Sequence, residues 1–574
     1  MRERLEIRRE TSRQRRGVTT AAQLTGGQAL AGQLVLEGVR DVFGVPGVQL
    51  DWAVDALCER SAEIRFIVPR HEQAVTYMAD GYARSSGRPG VGMVVPGPGM
   101  LNALAGLATA YACNSRVLLV AAQIPSAQMG RGLGMLHEIR GQGEILTLLT
   151  KSHRLARHPG EIAATVNAAF GDLHGGRPQP VAVEIPQDVL QKTGVPGFAE
   201  PLRPIRSVPD RKDVEGVAAL LKGARLPVIV AGGGVLAAGA SAVLAKLAEA
   251  AQAPVVMTEN GTGALASHHP LALSWLASRA LLPHADVVLA VGTRLIEGGA
   301  PAVLAPGCRV AYMNASAADM VAPRPEGLRV LADARSALES VADELGAHAA
   351  PSRAAEVQAL RGWCDAQLAD IAPQLGWIAA LRAGMPDDAF FVPDLTQMGY
   401  PSSLAFQVRT PGTFINAGYQ GTLGFAYPTA LGVAAAHPGR AVVSISGDGG
   451  FGWSLQELAT AKRYNLAVVS VVFVDGFFGN VKLLQKRQFG RAYGAELQNP
   501  DFVRLAEAFG VDAVRVATPD MLTGALASAI AARKPALIEV PVGEFPSPWH
   551  LLRNYAPGKN PPPPNPLGEP RREQ

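Results

Sequence analysis

The chain has 574 residues, 48% of them apolar and 18% charged, with a formal charge of +4 at neutral pH. That length exceeds a single hydrophobic core and implies two to four domains, and the small charge, with no basic face, gives no case for nucleic-acid binding. Four scattered cysteines without a CxxC pair argue against a disulfide framework or zinc cage and make the cytoplasm the expected compartment, and no apolar run reaches the roughly 20 residues that span a membrane.

Residues 1–20 are rich in Arg and Glu without the apolar segment of a signal peptide, and read as a flexible N-terminal extension. From about Leu24 to Gln191, strand-like runs at Val91–Val95, Val117–Ala122 and Val181–Ile185 alternate with amphipathic stretches, the pattern of parallel α/β layers. Early in this block, Arg70-His71-Glu72-Gln73 opens a segment in which Val75, Met78, Ala79 and Tyr82 recur at i, i+3, i+4 and i+7. One helical face is therefore buried, with Glu72 in the first turn near that face. The helix dipole alone would accommodate an acid there.

A proline-rich connection, Pro196 to Pro209, leads to a second block, about Asp210 to Leu345, with strands predicted at Pro227–Ala231, Val255–Met257 and Val287–Val291. Gly232-Gly233-Gly234 follows the first of these, as in nucleotide-binding turns, although such glycines also serve strand–helix packing. After an Ala-rich, helix-prone link comes a third block, about Ile371 to Val542, with strands at Phe390–Val392, Ala441–Ser446 and Ala467–Val474. The tail, residues 556–574, holds Pro561 to Pro564 and reads as a disordered arm, because proline donates no backbone hydrogen bond. The fold class is thus α/β, three doubly wound parallel-sheet domains.

The third block carries the most chemistry. Its second strand runs into Gly447-Asp448-Gly449, and its third ends at Asp475-Gly476-Phe477. Both aspartates stand at C-terminal strand ends, where open α/β sheets take ligands. Two carboxylates with backbone carbonyls and phosphate oxygens make a hard oxygen site suited to Mg²⁺. Ser454 and Glu457 have capping-box spacing, which predicts a helix from Leu455. Glycines before a helix let backbone N–H groups approach an anion.

These residues resemble the thiamine-diphosphate enzymes, in particular the acetohydroxyacid synthase and benzoylformate decarboxylase branch. Gly447-Asp448-Gly449 fits the family signature, and Val474-Asp475 stands where Asn-Asn is usual. Phe43-Gly44-Val45-Pro46-Gly47, Pro96-Gly97-Pro98-Gly99 and Gly421-Thr422-Leu423-Gly424 match further family positions. The resemblance implies a pyrimidine-binding domain over 21–195, a central domain over 208–345 and a diphosphate-binding domain over 371–550. It implies thiamine diphosphate and Mg²⁺ as cofactors, with Asp448, Asp475 and the Phe477 carbonyl as metal ligands. Thr396, Gln397, Gly447, Gly449, Gly450, Phe478, Gly479 and Asn480 would line the cofactor. Gly421 would accept from its amino group, and Leu423 would bend it. Glu72 would hydrogen-bond the aminopyrimidine ring from another subunit, making a homodimer the minimum unit and a homotetramer the expected one.

Around the reacting carbon the resemblance places Gln123, Leu136, His137, Lys151, Asn480, Val481 and Leu484. His137 is the proton-transfer candidate, histidine being the side chain most often used for general acid–base catalysis. A histidine satisfied by local hydrogen bonds beside Glu138 is the plainer alternative. Leu136-His137 and Leu484 replace the Phe-Gln and Trp of acetohydroxyacid synthases, and Gly298 stands where an Arg grips the second ketoacid. The expected function is therefore a C–C lyase or carboligase acting on a 2-ketoacid or 2-hydroxyketone, acetolactate synthase-like but with an altered acceptor pocket. A C–C hydrolase of a diketone and a catalytically silent thiamine-binding paralogue are the alternatives. The shortened Ser274–Pro283 connection argues against FAD.

Overall fold

The computed structural model describes residues 23–202, 206–297, 299–553 and 561–570. The N-terminal extension expected over 1–20 and the Gly298 position lie outside them. Three parallel sheets dominate. The first has six strands in the order Arg65–Ile67, Asp41–Gly44, Gly90–Val94, Val117–Gln123, Val181–Pro186, Ser152–Leu155. Along its central strand Val117, Leu119 and Ala121 enter one core while Leu118, Val120 and Ala122 enter another. Successive side chains point to opposite faces, so a strand covered on both sides reads as an unbroken apolar run.

The middle sheet is also six-stranded, ordered Ala272–Leu273, Val255–Met257, Pro227–Ala231, Val287–Val291, Arg309–Asn314, Gly327–Leu331. The third has five strands: Phe390–Pro393, Val442–Gly447, Val468–Val474, Ala536–Pro541, Asp512–Arg515. Every strand expected from the sequence is present within a residue of its predicted ends. Those not expected include Arg309–Asn314 and the edge strand Asp512–Arg515, whose exposed alternate residues break the apolar run.

One core joins the first and third sheets, and two helices carry it: Glu72–Ser86 and Ala426–Ala436. The first begins at His71, whose Nδ1 accepts the Gln73 N–H, and ends at Gly87, with φ 71°. A left-handed residue closes a helix at least cost when it is glycine. The helices cross backbone to backbone. A Cβ on Gly81 would lie 2.1 Å from the Thr429 carbonyl oxygen, and one on Gly432 would lie 2.0 Å from that of Met78.

Two local expectations are corrected. Ser454 and Glu457 form no capping box: Leu455–Glu457 is a single 3₁₀ turn, the α-helix begins at Leu458, and the Ser454 side chain makes no capping bond to the turn. Glu457 bonds instead to the first block. The tail is not free of contacts over 561–570, since Trp363 Nε1 donates to the Pro563 carbonyl at 2.9 Å and Asn565 Nδ2 to that of Ala280 at 3.0 Å. Carbonyls of a polyproline segment remain available as acceptors even though its nitrogens cannot donate.

Candidate active site

Strand Val442–Gly447 delivers Asp448 to the C-terminal edge of the third sheet, where it is 3% exposed. Its Oδ1 accepts the Gly449 N–H at 3.0 Å, and its Oδ2 accepts from Gly476 N at 2.8 Å and Asn499 Nδ2 at 2.6 Å. Asp475 ends the neighbouring strand, its Oδ1 taking the Phe477 N–H at 2.9 Å. Burial first, and then the Asp448 charge, push the Asp475 carboxyl above its ordinary range. Two acids brought together in this way are relieved by a cation.

The surroundings fit a phosphorylated ligand with a divalent ion. A Cβ on Gly449 would meet the Phe478 ring at 2.8 Å, and one on Gly479 would meet Asp475 Oδ2 at 2.8 Å and Gln397 Nε2 at 3.3 Å. Gln397 Oε1 is buried with no hydrogen-bond partner among the described residues, although buried polar atoms are normally paired. Thr396 lies against Gly447, and its Oγ1 takes the Met398 N–H. Among the described residues no three His, Cys, Asp or Glu side chains gather as a metal site. A hard cation at this loop would rest on two carboxylates, the Phe477 carbonyl and phosphate oxygens.

Sequence reasoning missed Asp394. It ends the strand Phe390–Pro393 as Asp448 and Asp475 end theirs, and that shared position was the available signal. Its Oδ2 accepts the Gly424 N–H at 3.0 Å and would lie 2.8 Å from a Cβ on Gly450. It thus joins the Gly421–Gly424 turn, where Gly421 has φ 61°, to the Asp448 loop. Burial pushes its carboxyl up to about 7, against the hydrogen bonds from Leu395 N and Gly424 N. Leu423 is half-buried beside Thr422, whose hydroxyl lies 3.1 Å from that of Thr109.

On the first sheet, Glu72, His137 and Gln123 are gathered around the Pro96–Gly99 turn. Glu72 Oε2 accepts from Asn102 Nδ2 at 3.1 Å, and its Oε1 would lie 3.5 Å from a Cβ on Gly99. A Cβ on Gly97 would meet the His137 carbonyl at 2.4 Å. The Gly97 N–H donates to Gln142 Oε1, and Gln142 and Gln123 both donate to buried Glu184. His153 Nε2 lies 2.6 Å from the same carboxylate. Among the described residues no hydrogen bond joins Glu72 to the Asp448 or Asp475 turns.

His137 Nδ1 pairs with Gln49 Oε1 at 3.2 Å, not with Glu138, whose carboxylate caps Gly132 and Met135 of its own loop. With φ 68°, His137 holds a backbone conformation that non-glycine residues rarely adopt. Leu136 is 62% exposed, and Val481 and Leu484 are each 45% exposed. Asn480 Oδ1 accepts from Trp549 Nε1 at 2.7 Å, so the C-terminal segment steadies the start of its helix. Lys151 departs from expectation. Its ammonium donates to the carbonyls of Asp172, Gly175 and Arg177 around the end of helix Ile162–His174. It precedes strand Ser152–Leu155 and so lies at the sheet edge opposite Gln123, which ends a parallel strand. A cation finds its partners at a helix C-terminus, where carbonyls are unpaired.

A cavity of about 1170 Å³ lies between the sheets and reaches Gly232, Gly234 and Trp275. Close packing by itself requires the first two glycines, since Cβ atoms there would lie 2.3 Å from Gly292 O and 2.6 Å from Gly292 Cα.

Residues 24–144, 214–341 and 394–540 match the N-terminal TPP binding domain, the central domain and the C-terminal TPP binding domain of thiamine pyrophosphate enzymes. The chain is 31% identical over 554 residues to the "Probable acetolactate synthase large subunit" of Methanocaldococcus jannaschii, covering 90% of this chain and 92% of that one. It is 33% identical over 503 residues to the "Probable 2-ketoarginine decarboxylase AruI" of Pseudomonas aeruginosa, covering 85% and 88%. It is 30% identical over 534 residues to acetolactate synthase isozyme 3 large subunit of Escherichia coli K12, covering 88% and 92%. Three domain matches in order and similarity along nearly the full length agree with the geometry of the third sheet: the chain belongs to the thiamine pyrophosphate enzymes, among their decarboxylases and carboligases.

Proposed function

We propose that the chain, with thiamine diphosphate and Mg²⁺, cleaves the bond next to the carbonyl of a 2-ketoacid and passes the resulting fragment to a proton or to a carbonyl acceptor. The observation that carries this reading is the pairing of Asp448 with the Asp475–Phe477 turn through the Gly476 N–H. When bound, the cofactor supplies an electron sink for the carbanion left by cleavage. Asp448, Asp475 and the Phe477 carbonyl would hold the metal, and the backbone of Gly449 and Gly450, with Thr396 and Gln397, would hold the diphosphate. Glu72 shares a proton with the aminopyrimidine ring. His137, held by Gln49, delivers a proton to the reacting fragment or its acceptor.

Exposed Leu136, Val481 and Leu484 support a second copy closing the site, as does the lack of a bond between Glu72 and the Asp448 loop among the described residues. The unit is then a homodimer or homotetramer. Leu136 and Leu484 line an acceptor pocket unlike that of acetolactate synthase and favour a different acceptor, or proton capture. The test is turnover of a panel of 2-ketoacids with Mg²⁺ and cofactor, with and without aldehyde acceptors. Aldehyde with CO₂, or a coupled hydroxyketone, is the expected product. An opened acid from a diketone, with every ketoacid inert, would replace this reading with the hydrolase one.

A further inference from the structure

We propose that Glu457 is a positioning residue for Glu72, forming with Trp453 a clamp that sets the Glu72 carboxyl and ties it to the Asp448 loop of the same chain. The proposal rests on Glu72 being the acid that meets the aminopyrimidine ring.

Glu457 is fully buried, yet it belongs to the third sheet's half of the molecule and its main partner belongs to the first. Its two carboxylate oxygens accept the Arg70 N–H at 3.2 and 3.0 Å, and Thr460 Oγ1 donates to Oε2 at 2.6 Å. On the other side of Glu72, Gln73 Nε2 donates to the Trp453 carbonyl at 2.6 Å. Further back, Val68 N donates to the Tyr464 hydroxyl at 2.9 Å. Residues 68, 70 and 73 are therefore all tied to the 453–464 segment, and Glu72 lies between two of the ties. A carboxylate taken out of water needs charge-assisted or backbone N–H bonds, and such bonds are strong and directional.

The same segment runs back to the metal loop without a gap. Gly452 N bonds to Asp448 O at 3.0 Å, Trp453 N to Gly450 O at 3.2 Å, Ser454 N to Phe451 O at 2.9 Å and Glu457 N to Ser454 O at 3.0 Å. This ladder of turns joins the diphosphate-facing backbone to the start of the Glu72 helix. A shift of about 1 Å in a catalytic group can cost on the order of a hundredfold in rate. A buried acid at this junction therefore governs where the Glu72 carboxyl sits.

The test compares Glu457→Gln, Glu457→Asp, Gln73→Ala and Glu72→Gln with the parent. In cofactor-free protein, amide hydrogen exchange over residues 68–74 is expected to quicken by about tenfold in Glu457→Gln, because the amide NH₂ now faces the Arg70 N–H. Calorimetry should show thiamine diphosphate affinity, with Mg²⁺, within about threefold of the parent. Exchange of the bound cofactor's C2 proton should slow by at least about tenfold. Glu457→Asp should recover part of that rate, and Gln73→Ala should give a smaller loss. The double variant Glu72→Gln/Glu457→Gln should exchange no more slowly than Glu72→Gln alone. Additive losses, or an unchanged C2 exchange rate in Glu457→Gln when Glu72→Gln is slow, overturn the clamp. Unchanged exchange in Glu72→Gln overturns the Glu72 assignment itself. If Glu457→Gln does not fold, Gln73→Ala and Glu457→Asp decide, since normal C2 exchange in both rejects the clamp.

Discussion

The Gly476 N–H points at the Asp448 carboxylate from 2.8 Å, so the turns that end two neighbouring strands are locked to each other before any ligand arrives. Asn499 adds a donor to the same oxygen at 2.6 Å. One oxygen of Asp448 thus holds the scaffold, while the charge of the acid acts on Asp475. A cation at this loop would relieve the two neighbouring acids.

Replacing Asp448 with Ala is therefore expected to lower Mg²⁺-dependent thiamine diphosphate affinity by about a hundredfold or more, since a charged ligand and its turn are lost together. Isothermal titration with and without Mg²⁺ checks it. Affinity within a few-fold of the parent would show that the metal binds elsewhere.

His137→Ala should change the ratio of aldehyde to coupled product while leaving cofactor affinity within about threefold, because His137 pairs with Gln49 and not with the diphosphate loop. Lys151→Met serves as the contrast. Its three carbonyl partners predict a stability loss of about 1 kcal/mol with no change in product ratio. Product analysis by chromatography separates the two. A Lys151→Met enzyme with altered products would return that residue to the pocket.

Asp394 predicts a pH effect on stability. Its carboxyl titrates near 7 in the folded chain against 3.8 for an ordinary aspartic acid, so between those values the folded state holds a proton that the unfolded state has released. Stability contributed by this group then falls as pH rises through that window and levels off above it. From pH 5 to 7.5 the loss is on the order of 2–3 kcal/mol. Asp394→Asn lacks that slope, so denaturant midpoints of the cofactor-free proteins should shift in its favour over the same range. Parallel profiles for parent and variant would refute the assignment.

The helix crossing predicts a structural lesion. Gly432→Val puts a branched side chain where even a Cβ would sit 2.0 Å from the Met78 carbonyl. Overpacking of this kind typically costs about 1–3 kcal/mol, and more where backbone must move. Thermal unfolding should show a drop of several degrees together with lost activity, because the Glu72 helix is one of the crossing pair. A variant as stable as the parent would mean that the helices part easily.

What the sequence determined by itself were features written between chain neighbours. Strands buried on both faces read as apolar runs, Val75 to Tyr82 marked a buried helical face, and Asp448 and Asp475 announced themselves at strand ends. Only the tertiary structure decided where each polar group found its partner. Glu457 has capping-box spacing from Ser454, yet it bonds Arg70, 387 residues away in sequence. Lys151, which the resemblance sets near the reacting carbon, turns to the carbonyls at a helix end, and Asn499 reaches Asp448 from a segment with no pattern of its own. The physical reason is that local periodicity reports which face of an element is buried, whereas a hydrogen-bonding group is claimed by whichever partner the packed chain brings within 3 Å, at whatever distance along the sequence.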